Sequence, residues 1–242
     1  MIQKKVTDFF ALEGNYPDLD GEGAAARLSA AIQCKTINYF DHSLTDYTEF
    51  DKLHTHIKAS YPNIMRVGTF ERIGHHAVLI TIPGSDASLR PCLYMSHQDV
   101  VPVVEGTEQD WTHPAFSGDI ADGKVWGRGA SDTKCSVMAF FQAVEELLAA
   151  GYEPANDVYI ASSCTEEWAG DGAPKLVAEL KRRGVRPFLV CDEGGGIITE
   201  PIGGIPGNFA MVGVFEKGKA DVKFTARSNG GHASAPMANS PI

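Results

Sequence analysis

Between residues 92 and 191 the sequence alternates short apolar runs with amphipathic stripes, and this alternation restricts the fold more than any other feature. Cys92–Met95, Val158–Ser163 and Phe188–Cys191 read as short apolar strands. Between the first two, residues 133–149 carry Val137, Phe140, Phe141, Val144, Leu147 and Leu148 on one helical stripe, and Gly151 follows as a stop. Between the last two, residues 173–183 form a second helix, closed by Gly184. Strand, helix, strand, helix, strand implies parallel pairing with right-handed crossovers.

Upstream, residues 22–33 and 47–60 read as helices, with Phe50, Leu53 and Ile57 at helical spacing in the second. Met65–Phe70 and Ala77–Ile82 read as strands. Residues 120–126 read as a hairpin whose Asp122-Gly123 supplies a turn requiring positive φ. Together these segments predict an α/β fold: a three-layer α/β/α sandwich around a mixed, mostly parallel sheet. After Gly194-Gly195-Gly196 the texture changes, and 209–215 and 220–226 read as paired strands of a small α+β lid. We therefore expect a catalytic domain over 1–205 and the beginning of a lid over 206–242.

Composition removes several function classes. The 242 residues carry a formal net charge of -10 without a Lys/Arg cluster, which argues against nucleic acid as a partner. No apolar run approaches the ~18 residues of a membrane span. Acidic residues interrupt the N-terminal apolar stretch, which argues against a secretory signal. Five cysteines (Cys34, Cys92, Cys135, Cys164 and Cys191) include no Cys-x-x-Cys pair, which points to a reducing compartment, the cytoplasm.

The polar outliers fall at the expected strand ends. His97 and Asp99 follow the first apolar run, Glu166 and Glu167 the second, and Asp192 the third; Asp132 precedes the long helix. Sites in open α/β sheets form beyond the carboxyl ends of the parallel strands. One imidazole and several carboxylates gathered there repel one another unless a cation neutralises them, and only Arg128 and Lys134 are near in sequence. A divalent metal is the economical answer; mixed His and carboxylate ligands suit zinc, and cobalt or manganese also fit. In Glu166-Glu167, adjacent carboxylates point in different directions, so one can ligate while the other acts on water. Taken singly, each has a bland reading: a surface His-x-Asp pair, a solvated Glu-Glu, or an Asp used as a helix N-cap. What distinguishes them is that they occur as a set.

These motifs resemble those of the co-catalytic zinc metallopeptidases that include aminoacylase, acetylornithine deacetylase, carnosinase and carboxypeptidase S. HQDVVPV, the stretch from Trp111 through GRGASDTK, TEEWAGDGA and CDEGGG are most similar to the carboxypeptidase S branch. The resemblance runs from about residue 92 to 236. It implies that His97 and Asp192 hold one zinc, Glu167 the other, and Asp132 bridges the two. Asp99 would orient His97, and Glu166 would be the general base and acid. His232, in NGGHASAP, would contact the substrate carbonyl from the lid, often across a homodimer. Thr133 and Thr165 stand where many relatives carry acidic residues; neither is a ligand position.

The reaction so implied is hydrolysis of an amide bond in a small peptide or N-acyl amino acid. Hydroxide held between two zincs would attack the carbonyl, with Glu166 taking the proton. The family draws its last histidine ligand from a segment after the lid, so that ligand is expected beyond Ile242. The chain is accordingly expected to be C-terminally truncated, and by itself to hold one metal firmly and the second poorly. The alternatives are a non-catalytic or incomplete relative that binds metal or ligand without turnover, and a single-metal hydrolase with a different ligand set. His42, His54, His56, His75, His76 and His113 lie outside the motifs and are expected at the surface or in loops.

Overall fold

The computed structural model describes residues 20–194, 196–200, 206–215, 218, 220 and 222–227. The chain divides into two compact units, Met1–Glu193 and Gly194–Ile242. That division falls earlier than the boundary expected at residue 205.

The first unit opens with α1 (Gly21–Gln33), whose N-cap Asp20 accepts a hydrogen bond from the Gly23 amide. Helix α2 (Tyr47–Ser60) has Asp46 as its N-cap and buries Phe50, Leu53, His54 and Ile57. The expected strand at Met65–Phe70 is corrected: Pro62–Val67 is a short helix, α3, and strand β1 begins only at Thr69, running to Ile73. The Glu145 carboxylate, 81 residues from Ile64, accepts from the amides of Asn63 and Ile64 at 2.9 Å each. Free amides at a helix start are costly to bury, and Pro at the first turn lacks one to begin with.

Strand β2 (Ala77–Ile82) pairs antiparallel with both β1 and β6 (Val158–Ser163); β3 (Cys92–His97) pairs parallel with β6 and with β7 (Leu189–Cys191). The order β1-β2-β6-β3-β7 makes a mixed sheet with parallel strands on one side. The crossovers are α4 (Lys134–Ala149), between β3 and β6, and α5 (Gly172–Arg182), between β6 and β7.

Both faces of the sheet are covered, as alternating side chains require. Val78, Ile80, Ile82 and Ile160 face a core shared with Ala31, Leu53, Ile57, Tyr61, Val137 and Phe141, in which Tyr61 stacks on Phe141 at 5.3 Å. Ala77, Leu79, Tyr159 and Ala161 face the other side, with Phe50, Leu176 and Leu180. The hairpin is β4 (Ile120–Ala121) and β5 (Lys124–Val125), with Asp122 at φ 52° and Gly123 at φ 70°. Positive φ at both central residues gives the turn whose twist matches that of its strands.

In the second unit, β8 (Gly196–Thr199) pairs antiparallel with β9 (Asn208–Met211). The expected pairing of 209–215 with 220–226 is corrected. The partner of β9 precedes it in the chain, and none of the described residues of 220–226 lies in a strand.

Candidate active site

The parallel strands β3 and β6 end side by side, with His97 opposite Ser163, and β7 flanks β3 on its other side. The turns leaving these three strands carry the candidate residues to one place. His97 is the last residue of β3, and its side chain is almost wholly buried. Its Nδ1 lies 2.9 Å from the Asp99 main-chain carbonyl and 3.5 Å from the Asp99 carboxylate, which leaves Nε2 facing outward. Around Nε2 stand Asp132 Oδ1 at 3.0 Å, Glu193 Oε1 at 3.4 Å and Glu166 Oε2 at 3.7 Å.

Asp132 reaches this point through a tight turn before α4. Gly129 sits at φ 86°, where a Cβ would stand 2.8 Å from Val100 Cγ1, so glycine permits the turn's approach to the strand end. Asp132 does not cap α4: that position belongs to Thr133, which makes no side-chain cap bond. Lys134 points the other way, fully buried, and its Nζ donates to the carbonyls of Ala31 and Cys34 at the end of α1. The turn is thereby tied to a helix about 100 residues earlier.

Asp99 has a second role that the resemblance did not imply. Completely buried, it accepts the Glu166 amide on Oδ1 and the Glu167 amide on Oδ2, each at 3.1 Å. One carboxylate thus fixes both the imidazole and the backbone of the paired glutamates. A buried carboxylate is costly without hydrogen-bond donors, and these two amides supply them.

Of the expected residues, His97, Asp132, Glu166 and Asp99 come together. Glu167 belongs to the same electrostatic group: burial pushes its carboxyl up, as do the charges of Asp132, Asp99 and Glu166, against the opposing pull of His97. Asp192 takes a different position: it is exposed, and its Oδ1 accepts from the Glu193 amide at 2.9 Å. Glu193, its neighbour, is the carboxylate that reaches the imidazole. The doubled acid in CDEGGG carried the same signal as Glu166-Glu167, since adjacent side chains leaving a strand diverge. His232 lies outside the described residues. One of the other histidines is corrected: His54 is buried on a helix, packed near His76, which lies in the turn before β2 and is also buried, with ring centroids 5.8 Å apart.

The donor set fits a cation. One ligand atom each from His97, Asp132 and Glu193 lies within 4.8 Å of the others. Glu193 Oε2 is buried and has no hydrogen-bond partner among the described residues. Burial alone pushes the Glu193 carboxyl up, and like charges on Asp192, Glu166 and Asp132 add to this against the pull of His97, bringing it to about 7. Burial would lower His97, but the bond to Asp99 and the charges of Asp99, Glu193 and Glu166 outweigh it and hold the imidazole at about 10. Acids raised and a base raised in one cluster are the signature of surplus negative charge, which a divalent cation relieves.

Residues 93–240, more than half of the chain, match the model of peptidase family M20/M25/M40. The chain belongs to that family. It is 37% identical over 235 residues to N-fatty-acyl-amino acid synthase/hydrolase PM20D1.1 of Danio rerio, covering 94% of this chain and 45% of that protein. With carboxypeptidase S of Saccharomyces cerevisiae it shares 34% identity over 233 residues, covering 90% of this chain and 38% of the yeast protein. The chain therefore spans less than half the length of these relatives. Its fold is similar to that of an M20 family metallo-carboxypeptidase from Sulfolobus solfataricus, with a TM-score of 0.59 at 22% identity, over 72% of this chain and 38% of that one. The M20 fold accounts for the mixed open sheet. Among the described residues no helix is long and apolar enough to cross a membrane.

Proposed function

We propose that the whole protein hydrolyses the amide bond of a small peptide or an N-acyl amino acid, as a zinc enzyme with two ions in its complete site. The observation that carries this reading is the convergence of His97, Asp132, Glu193 and Glu166 on one point, with Asp99 beneath them. His97, Asp132 and Glu193 would hold one ion; Asp132 and Glu167 would face the second. The names of the two sequence relatives, a carboxypeptidase and an N-fatty-acyl-amino acid hydrolase, support both substrate classes.

Zinc at this place supplies Lewis acidity, polarising the carbonyl and lowering the pKa of water. The protein's own groups do the rest. Glu166 is the general base: its side chain is half exposed, so it reaches water, while its backbone is fixed through the Asp99 clamp. The proton it takes goes to the leaving amine, which must depart neutral. Asp99 holds the His97 ring so that Nε2 faces Asp132 and Glu193, with which it would hold the ion. His232 would donate to the developing oxyanion from the lid. The five cysteines, all unpaired, support a cytoplasmic location.

Glu166→Gln tests the reading. Turnover by the full-length enzyme should fall ~10²–10⁴-fold, with zinc content unchanged, because Glu166 acts on water. A near-normal rate removes Glu166 from its role. Binding without turnover in the wild-type protein would favour a non-catalytic relative.

A further inference from the structure

The segment between α1 and α2 runs beside the end of β3, with Ile37 bridged to Val100 in parallel. It lies outside the residues matched to the family model. On it, Asn38 is completely buried, directly behind the catalytic cluster. Its Nδ2 stands 3.3 Å from Asp99 Oδ2, the oxygen that also accepts the Glu167 amide. Its main-chain carbonyl accepts the indole N–H of Trp168 at 2.8 Å, so the same residue holds the turn just after the paired glutamates.

The direction of the amide is fixed by its surroundings. Thr45 Oγ1 lies 3.3 Å from Asn38 Oδ1 and 3.4 Å from the Tyr39 amide, which donates to it. The hydroxyl accepts from Tyr39 and spends its one proton on Asn38. His42 Nδ1, at 3.2 Å, also faces Oδ1. With the oxygen accepting from Thr45, the NH₂ end faces Asp99. An inverted amide would set oxygen against carboxylate in a buried place, which is strongly unfavourable.

We propose that Asn38 is a positioning residue for the metal site. It is the donor that holds the Asp99 carboxylate in the one orientation serving His97 and the Glu166-Glu167 backbone together. Asp99 Oδ1 takes the Glu166 amide and faces His97, while Oδ2 has only the Glu167 amide once Asn38 is gone. A carboxylate short of a donor rotates toward those that remain. The imidazole and both glutamates then shift with it. The proposal rests on the hydrolase reading for its effect on turnover, and on the geometry alone for its effect on zinc.

The test compares Asn38→Asp and Asn38→Leu in the full-length, zinc-loaded protein. Zinc retention is measured by competition with a chelator, and kcat and KM are measured on the same samples. Partners one step behind a metal ligand typically matter ~10–100-fold, and we expect that loss in zinc retention and in kcat, with KM little changed. The two variants should separate with pH. Burial and the facing Asp99 charge raise the carboxyl introduced by Asn38→Asp well above the ordinary value of about 3.9; protonated, it donates to Asp99 as the amide did, so the deficit of that variant should be the smaller and should shrink further from about pH 8 to about pH 5.5. The Asn38→Leu deficit should not. Wild-type zinc retention in Asn38→Leu, or equal deficits for the two variants at every pH, overturns the proposal. If neither variant folds, Thr45→Val removes the hydroxyl that orients the amide, and a severalfold loss of zinc retention is expected; unchanged retention overturns the proposal. Zinc retention needs no substrate, so an inactive wild type would count against the hydrolase reading alone.

Discussion

His54 projects from α2 into the core, where its Nε2 lies 2.7 Å from Gln98 Oε1. Gln98 stands between His97 and Asp99, and its Nε2 donates to the carbonyls of His76 and Ser162. With both ends of the amide assigned, Gln98 Oε1 must accept, so the His54 ring carries a proton on Nε2. Burial pushes this imidazole down from 6.5 to about 4, against the opposing pull of the Gln98 bond. A folded-state value below the unfolded one means that the unfolded chain binds more protons between those two values. The contribution of His54 is therefore complete above about pH 6.5 and is lost as pH falls toward 4, by at most ~3 kcal/mol. His54→Leu removes this titration and leaves Gln98 Oε1 buried without a donor, which costs ~1–3 kcal/mol at pH 7. Urea unfolding of both proteins at about pH 7 and about pH 4.5 measures the effect. The wild type should be the more stable at neutral pH, and its advantage should close by ~2 kcal/mol on acidification. His76 is also pushed down by burial, but it titrates in both proteins and largely cancels in the difference. A gap that stays the same at the two pH values would refute the assignment of His54 as a buried neutral histidine.

Lys134→Met should destabilise the protein by ~3 kcal/mol, because two carbonyls at the end of α1 lose a charged donor; an unchanged urea midpoint would show that the ammonium is dispensable. Glu193→Gln should weaken zinc retention by at least about an order of magnitude, and Asp192→Asn by little, since of this adjacent pair Glu193 is the one that reaches His97; the reverse ranking in a chelator titration would return the ligand role to Asp192.

Local pattern was enough wherever it showed which faces of an element are buried. The one-sided apolar spacing of α2 and α4, the apolar run of β2, interrupted by Thr81 alone and buried on both faces, and the Asp122-Gly123 turn each specify their conformation within a few residues. The placement of His97, Asp132, Glu166 and Glu167 at strand ends or a helix start was legible for the same reason: the alternation dictates where strands stop. Met65–Phe70 failed because its scattered apolar residues, Met65, Val67 and Phe70, suit a strand or a helix equally. The choice was made by Glu145, which caps the amides of α3 from 81 residues beyond Ile64. The partner of β9 likewise depended on which strand lay within reach, and not on the texture of either segment. Which member of Asp192-Glu193 faces the imidazole is a matter of strand twist and turn geometry, to which two adjacent acids give no sequence clue. Asn38, Lys134 and His54 are ordinary polar residues in sequence. Their importance comes from burial beside groups some 40 to 100 positions away, where an unmet donor or acceptor is costly, and only the packing of the tertiary structure creates that environment.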